Sequence, residues 1–261
     1  MCFISLAIYL IMALPKTPIM GFLVIGHRGA SRYELENSIS SLQHALDLGV
    51  NAIEADIRAT RDGKPIILHD VRLRRVSRTF AKITGLRARD VSKIRLRNGE
   101  PVPFLTDIIS KIKGRGQLIL DIKVSGIEME IVRVIKRNSM VSDTIISSFM
   151  PEVLRKIKVQ CPKIRVALLC YRFNETLIES AKQMDCFSIH PRSKAVTPSL
   201  IAYAHNLGMR IFPWTEDRIS RVTELMEYGI DGIITNYPDI IDLAVKHMKN
   251  KDFPLQFDSL F

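Results

Sequence analysis

The stretch Val24–Asp70 reads VIGHRGASRYELENSISSLQHALDLGVNAIEADIRATRDGKPIILHD, and its apolar runs with polar tips decide the fold. Leu23 to Gly26 is a short apolar run closed by glycine, the pattern of a buried strand, and His27-Arg28-Gly29 follow at its C-terminal tip. Glu36 to Leu48 sets Ile39, Leu42, Ala45 and Leu46 at helical spacing. Asn51 to Ile57 reads as a second strand, so Glu54 and Asp56, two residues apart, project from one face. Strand, helix, strand forces a parallel pairing. Arg61-Asp62-Gly63-Lys64 is a turn signal, after which Pro65 to Leu68 returns as a hairpin arm and carries His69-Asp70 toward the tip where His27 sits.

Two carboxylates on one buried face repel each other and lose hydration unless a cation lies between them. Oxygen-only donors with no cysteine nearby suit a hard ion, Mg²⁺ or Ca²⁺, rather than zinc. The alternative is an ion pair of Glu54 and Asp56 with Arg58 or Arg61, and strand alternation does turn Arg58 to their face. Two histidines flanking a cation, with Arg28 beside them, are what hydrolysis of a phosphodiester would use: one takes a proton from the nucleophile, the other gives one to the leaving alkoxide. Taken singly, His27 reads equally well as a satisfied core histidine. Glu36 reads either as a first-turn carboxylate favoured by the helix dipole or as a group that faces the substrate or supports the residues that do.

Outward from this stretch the alternation continues. Val71 to Arg115 is a basic connection with a short helix over Asp90–Leu96 and a firmer one over Phe104–Lys113. Strands follow at Gln117–Ile122, Thr144–Phe149, Ile164–Cys170, Cys186–His190, Met209–Trp214 and Gly232–Thr235. Helices fall over Ile127–Arg137, Pro151–Val159, Glu175–Met184, Pro198–Asn206, Asp217–Tyr228 and Asp239–His247. Without the hairpin arm this is eight strands alternating with helices, which predicts an α/β chain folded as a (β/α)₈ TIM barrel. Right-handed crossovers would bring His27, Glu54, Asp56, Asp121, Lys123 and Trp214 to one rim. At that rim Trp214 would wall off an alcohol moiety. His44, His190, His205 and His247 read as packing or surface residues.

The ordered set His27-Arg28-Gly29-Ala30, Glu36-Asn37-Ser38, Glu54-x-Asp56, Asp62-Gly63, His69-Asp70, Asp121-x-Lys123, Ser148-Phe149-x-Pro151, Trp214-Thr215 and Gly232 to Pro238 resembles the glycerophosphodiester phosphodiesterase family. The resemblance runs from about Phe22 to Val245. It implies that His27 and His69 act as the acid–base pair, that Glu54, Asp56 and Asp121 hold one divalent cation, and that Arg28 and Lys123 contact the phosphate. The third metal carboxylate in that family is usually Glu, and Asp121 is shorter by a methylene. Its Asp-x-Lys arrangement is similar to the sphingomyelinase D branch of the superfamily. The resemblance therefore implies metal-dependent hydrolysis of a small glycerophosphodiester to an alcohol and glycerol 3-phosphate. The alternatives are a lysophospholipase D or sphingomyelinase D-like lipid hydrolase and a non-catalytic barrel that binds a phosphorylated ligand.

The composition is that of a globular protein, with 47% hydrophobic and 25% charged residues, and 261 residues suit one barrel of about 250. The expected division is an apolar N-terminal extension over 1–20, the barrel over 21–250 and a C-terminal tail over 251–261. Met1 to Leu14 is almost wholly apolar but short for a membrane span, so weak membrane association through 1–14, an atypical leader and an extension from an upstream start all stay open. A net charge of +11 and a pI near 9.6 favour anionic partners. Basic runs interleaved with aromatics and zinc-finger or helix-turn-helix signatures are missing, which argues against nucleic acid. Cys2, Cys161, Cys170 and Cys186 form no metal or disulfide spacing and read as free thiols of a reducing compartment, the cytoplasm.

Overall fold

The computed structural model describes residues 21–249 of the chain. The extension over 1–20 and the tail over 251–261 lie outside the described residues, and so does every reading placed on them.

The apolar runs become strands β1 Leu23–His27, β2 Ala52–Ala59, β3 Pro65–Ile67, β4 Gln117–Ile122, β5 Thr144–Ser148, β6 Arg165–Cys170, β7 Ser188–Pro191, β8 Arg210–Ile211 and β9 Gly232–Thr235. They pair in the order β8-β7-β6-β5-β4-β2-β1-β9, and β3 hangs antiparallel on β2 as the expected arm. Neighbouring barrel strands run parallel. Between the last strands the ring is drawn together by single backbone bonds, Asp231 N to Ile211 O at 3.2 Å and Ile234 N to Pro213 O at 2.9 Å. This is the (β/α)₈ barrel read from the alternation.

Helices α1 Ile39–Asp47, α2 Ala88–Val91, α3 Leu105–Ile112, α4 Glu128–Arg137, α5 Pro151–Gln160, α6 Glu175–Gln183, α7 Pro198–Asn206, α8 Ile219–Glu227 and α9 Ile240–Lys249 cover the outside. Among the described residues no helix is long and apolar enough to cross a membrane.

Side-chain alternation divides each strand between two cores. Outward residues such as Ile53, Ala55 and Ile57 of β2 meet the apolar stripes of the helices. Inward residues Ile25, Ala52, Ile119, Ile145, Ala167, Phe212 and Ile234 fill the lower barrel. Each fully buried Ile contributes about 2 kcal/mol of transfer free energy, so the barrel floor is apolar and rigid. One step further along the same strands the inward positions turn polar: His27, Glu54, Asp56, Asp121 and His190. The site therefore stands on a packed floor.

Three elements differ from the sequence reading by three residues or more at one end, each for a local reason. The first helix starts at Ile39 rather than Glu36, because Asn37 takes φ 59° and Ser38 caps the helix by accepting from Ser41 N at 3.1 Å. The short helix of the basic connection covers Ala88–Val91 instead of Asp90–Leu96, with Asp90 accepting from Arg87 N at its start. Strand β8 is regular only to Ile211: Phe212 N still donates to Ile189 O of β7 at 3.1 Å, but Pro213, whose O accepts from Ile234 N of β9, has no N–H to return. Trp214 still lies beside β7, its N donating to Pro191 O at 2.9 Å.

Residues 71–103, between the arm and α3, form an outlying lobe with a small core of Leu73, Val76, Ile83, Val91, Leu96 and Val102 packed on Ile66 and Leu68 of the arm.

Candidate active site

Strand register assembles the site. Pairing of β1 with β2 sets His27 beside Glu54, and pairing of β2 with β4 sets Asp56 beside Asp121. Oxygens of Glu54, Asp56 and Asp121 all lie within 4.8 Å of one another, and the three side chains are buried. Two cations enter this cluster. Arg28 Nε is 3.0 Å from Asp56 Oδ2, and Lys123 Nζ is 3.1 Å from Asp56 Oδ1 and also pairs with Asp121.

The turn after β1 aims Arg28. Arg28 itself is left-handed (φ 56°), its N donates to Glu54 Oε2 at 2.9 Å, and Gly29 (φ 85°) presses so closely on α1 that a Cβ there would lie 2.5 Å from the Ser41 backbone. Only glycine fits that contact. Arg28 also bonds Glu36 at 2.8 Å, and Arg75 of the lobe bonds Glu36 and Asp70. Glu36 is thus a clamp between two guanidiniums in the loop before α1 rather than a first-turn carboxylate, and its bond to Arg28 fits the supporting role read from sequence. Asn37, with its positive φ, donates Nδ2 to Asp56 Oδ2 at 2.8 Å.

The charges are unevenly shared. Burial first, and then Asp56 and Asp121, push the Glu54 carboxyl well above its usual range. Burial likewise lifts Asp121 to about 6 against the pull of Lys123. At Asp56 burial pushes upward but Arg28 and Lys123 outweigh it and hold the carboxyl at about 2. Lys123 and Arg28 are raised in turn, since their carboxylate neighbours more than offset burial. Three carboxylates face two cations; Asp121 Oδ1 is buried without a partner, and Asp56 Oδ1 meets only the Lys123 ammonium at 3.1 Å. Such an orphaned oxygen is costly in a dry site, and a hard divalent ion would satisfy it. Arg58 does not pair with Glu54 or Asp56; its Nε donates to His69 O at 2.5 Å, which removes the ion-pair alternative for that residue.

Both predicted histidines face one cleft, lined as well by Glu54, Asp121, Lys123, Phe149, Tyr171 and Trp214. His27 Nδ1 donates to Asn236 Oδ1 at 2.7 Å, which leaves Nε2 4.0 Å from Glu54. Burial, then Arg28 and Lys123, push the His27 pKa down to about 4, so the ring is neutral near pH 7. His69, at the end of the arm, donates Nδ1 to Asp70 Oδ1 at 2.7 Å. Leu68 N bonds Asp56 O at 2.9 Å, so His69 is fixed to the strand that carries the carboxylates.

The opposite wall is aromatic. Phe149 and Tyr171 stack with centroids 4.8 Å apart, and Trp214 meets both edge-on at 5.5 Å. Trp214 Nε1 donates to His190 O at 2.7 Å, which fixes the indole. His190 is buried at the base of the cleft, its Nε2 3.0 Å from Ser188 Oγ, and burial lowers its pKa to about 3. His44 and His205 pair at the surface with Glu34 and Asp231, and the side chain of His247 lies outside the described residues. Cys161, Cys170 and Cys186 are buried free thiols, while Cys2 lies outside the described residues.

Asp217, Arg75 and Tyr171 were not singled out by sequence reasoning, and Asn37, Phe149 and Asn236 entered only as members of the motifs that carry the resemblance, with no role in the site.

Comparison with known proteins agrees with this geometry. Residues 27–240 match the model of the glycerophosphoryl diester phosphodiesterase family. A glycerophosphodiester phosphodiesterase of Caldanaerobacter subterraneus is 30% identical over 244 residues, covering 87% of this chain and 99% of the relative. A probable glycerophosphodiester phosphodiesterase 2 of Mycobacterium tuberculosis is 30% identical over 85% of this chain and 89% of its own length. Among solved structures, an Oleispira antarctica phosphodiesterase in complex with the product sn-glycerol-3-phosphate superposes with a TM-score of 0.80 at 24% identity, covering 87% of this chain and 99% of that one. The match across most of the chain, on a barrel whose register gathers these acidic and imidazole groups, makes the protein a member of the glycerophosphoryl diester phosphodiesterase family.

Proposed function

We propose that the chain hydrolyses glycerophosphodiesters to an alcohol and glycerol 3-phosphate. The observation that carries this reading is the single cleft in which His27 and His69 meet a buried carboxylate triad, Lys123 and an aromatic wall. A small glycerophosphodiester of the kind hydrolysed by the curated relatives would place its phosphate among Arg28, Lys123 and the triad. Its alcohol would lie along Phe149, Tyr171 and Trp214.

The residues divide the work. His27, neutral and held by Asn236, accepts a proton at Nε2 from the attacking hydroxyl or water. His69, held by Asp70, donates from Nε2 to the departing alkoxide. Lys123 and Arg28 stabilise charge on the phosphate oxygens, and they do so in a buried setting where such charges act strongly. Glu54, Asp56 and Asp121 would hold one divalent ion, Mg²⁺ or Ca²⁺, which when bound supplies further neutralisation of those oxygens. The shorter reach of Asp121 is met by its register beside Asp56, which already brings its oxygens within the cluster. Buried free thiols suit a reducing compartment, and we place the chain in the cytoplasm on that ground.

The test is one assay: glycerophosphocholine with Mg²⁺ or Ca²⁺, following release of glycerol 3-phosphate. Turnover that requires the ion and is lost in His27→Ala is the expected result. Release of phosphocholine instead, or no turnover with either ion, would overturn the assignment.

A further inference from the structure

The positive charge of this chain is concentrated in one place. Residues 71–103 carry ten Arg and Lys against Asp90 and Glu100, a net +8 of the +11 of the whole chain. All ten are exposed, whereas Asp90 and Glu100 are half-buried, and Glu100 is spent on the N-terminus of α1, accepting from Ile39 N at 2.8 Å. Among the described residues, only Arg75 and Arg89 of these ten have a carboxylate within 4.0 Å. The lobe is therefore a field of uncompensated cations.

Contacts show that several of these cations form one continuous patch. Arg72 and Lys82 face each other across an antiparallel bridge. Arg97 donates to Arg74 O at 3.0 Å, and the Arg74 guanidinium lies 5.5 Å from the centre of the Phe80 ring. Phe80 is 71% exposed, an apolar ring standing in water among guanidiniums. Arg75, in the same helical turn as Arg74, bonds Glu36 and Asp70 at the active-site cleft, so the patch borders the cleft entrance.

From this geometry we propose that the patch of Arg72, Arg74, Phe80, Lys82 and Arg97 is a docking surface for an anionic phospholipid bilayer, which brings the cleft to diesters presented at a membrane. Charge complementarity selects a polyanionic surface. The exposed ring selects a bilayer among such surfaces, because an apolar layer lies directly beneath its anionic head groups. A single-stranded nucleic acid would instead want several stacking rings along a groove, and the patch offers one. The purpose given to this surface rests on the proposed diester hydrolysis, but its existence does not, since binding is read without turnover.

The experiment is vesicle flotation of the full chain with phosphatidylcholine vesicles, with and without phosphatidylserine, together with competition by duplex DNA. The protein should float with the anionic vesicles, stay behind with neutral ones and be released by salt. Each cation removed should weaken partition about fivefold, so replacing Arg72, Arg74, Lys82 and Arg97 together by Gln should cost ~10² or more. Phe80→Ser should weaken it several-fold on its own. Both variants should turn over soluble glycerophosphocholine at the normal rate, which also shows that they fold. Failure of the full chain to float, undiminished flotation of the fourfold variant, or release by DNA at equal phosphate would overturn the surface. A chain that floats but never cleaves glycerophosphocholine would overturn the function and leave the surface standing.

Discussion

Asn236 Oδ1 lies 2.7 Å from His27 Nδ1, and the same amide donates Nδ2 to Asp217 Oδ2 at 2.6 Å. Asp217 accepts only, so the amide cannot turn over without facing two oxygens together. The arrangement keeps the proton of His27 on Nδ1 and the lone pair of Nε2 toward the cleft. Replacing Asn236 by Leu should lower kcat about 10- to 100-fold with KM little changed. Nitrogen NMR of the ring should show the Nδ1–H form replaced by a mixture. An unchanged tautomer together with normal kcat would refute the role.

The carboxylate cluster should respond to ions before any substrate is present. A divalent ion that satisfies Asp121 Oδ1 and joins the three carboxylates stabilises the folded chain by mass action. Mg²⁺ or Ca²⁺ should therefore raise Tm in the chelator-treated protein, and Asp56→Ala or Glu54→Ala should erase both that rise and the ion dependence of turnover. Full activity of either variant without added ion would exclude the triad as the ion's seat.

His69 is expected to matter in proportion to how poor a leaving group the alcohol is. His69→Ala should cost turnover ~10² or more on a choline or glycerol ester. A nitrophenyl ester, whose phenolate leaves unaided, should be cleaved at a rate much nearer normal. Equal losses on both would mean that His69 does not serve as the acid.

Stability should fall on the acid side for a traceable reason. His190 is fully buried, with its pKa lowered from 6.5 to about 3 by burial. Between those values the unfolded chain holds a proton that the folded chain rejects, so stability decreases as pH falls, by about 1.4 kcal/mol per pH unit for one such group. His27, lowered to about 4, acts in the same direction. Urea unfolding of His190→Gln from about pH 6 to 4 should show a slope shallower by roughly one proton. A slope identical to that of the parent would disprove the assignment.

The strands were legible because each is an apolar run ended by glycine or polar residues, and the polar groups gathered at their tips were legible for the same reason. Local geometry hid the rest. Asn37 looked like the second residue of a helix, yet its side chain is drawn to Asp56 and its backbone turns left-handed to reach it. Arg58 has the spacing of a partner for Asp56 but reaches the arm's carbonyl instead, because the hairpin passes beside it. Asn236 and Asp217 depend on the ring closing, and a linear pattern carries no measure of that distance. Glu36 was placed beside Arg28, but its second partner, Arg75, comes from the lobe, which no local spacing signals.

The charged groups of the cleft all arise from β1, β2, the arm and β4, while Phe149, Tyr171 and Trp214 follow β5, β6 and β8. Under the proposed function, reaction and recognition fall on separate halves of one ring, so exchange of the three aromatic positions should change which alcohol is accepted and leave the phosphorus chemistry as it is.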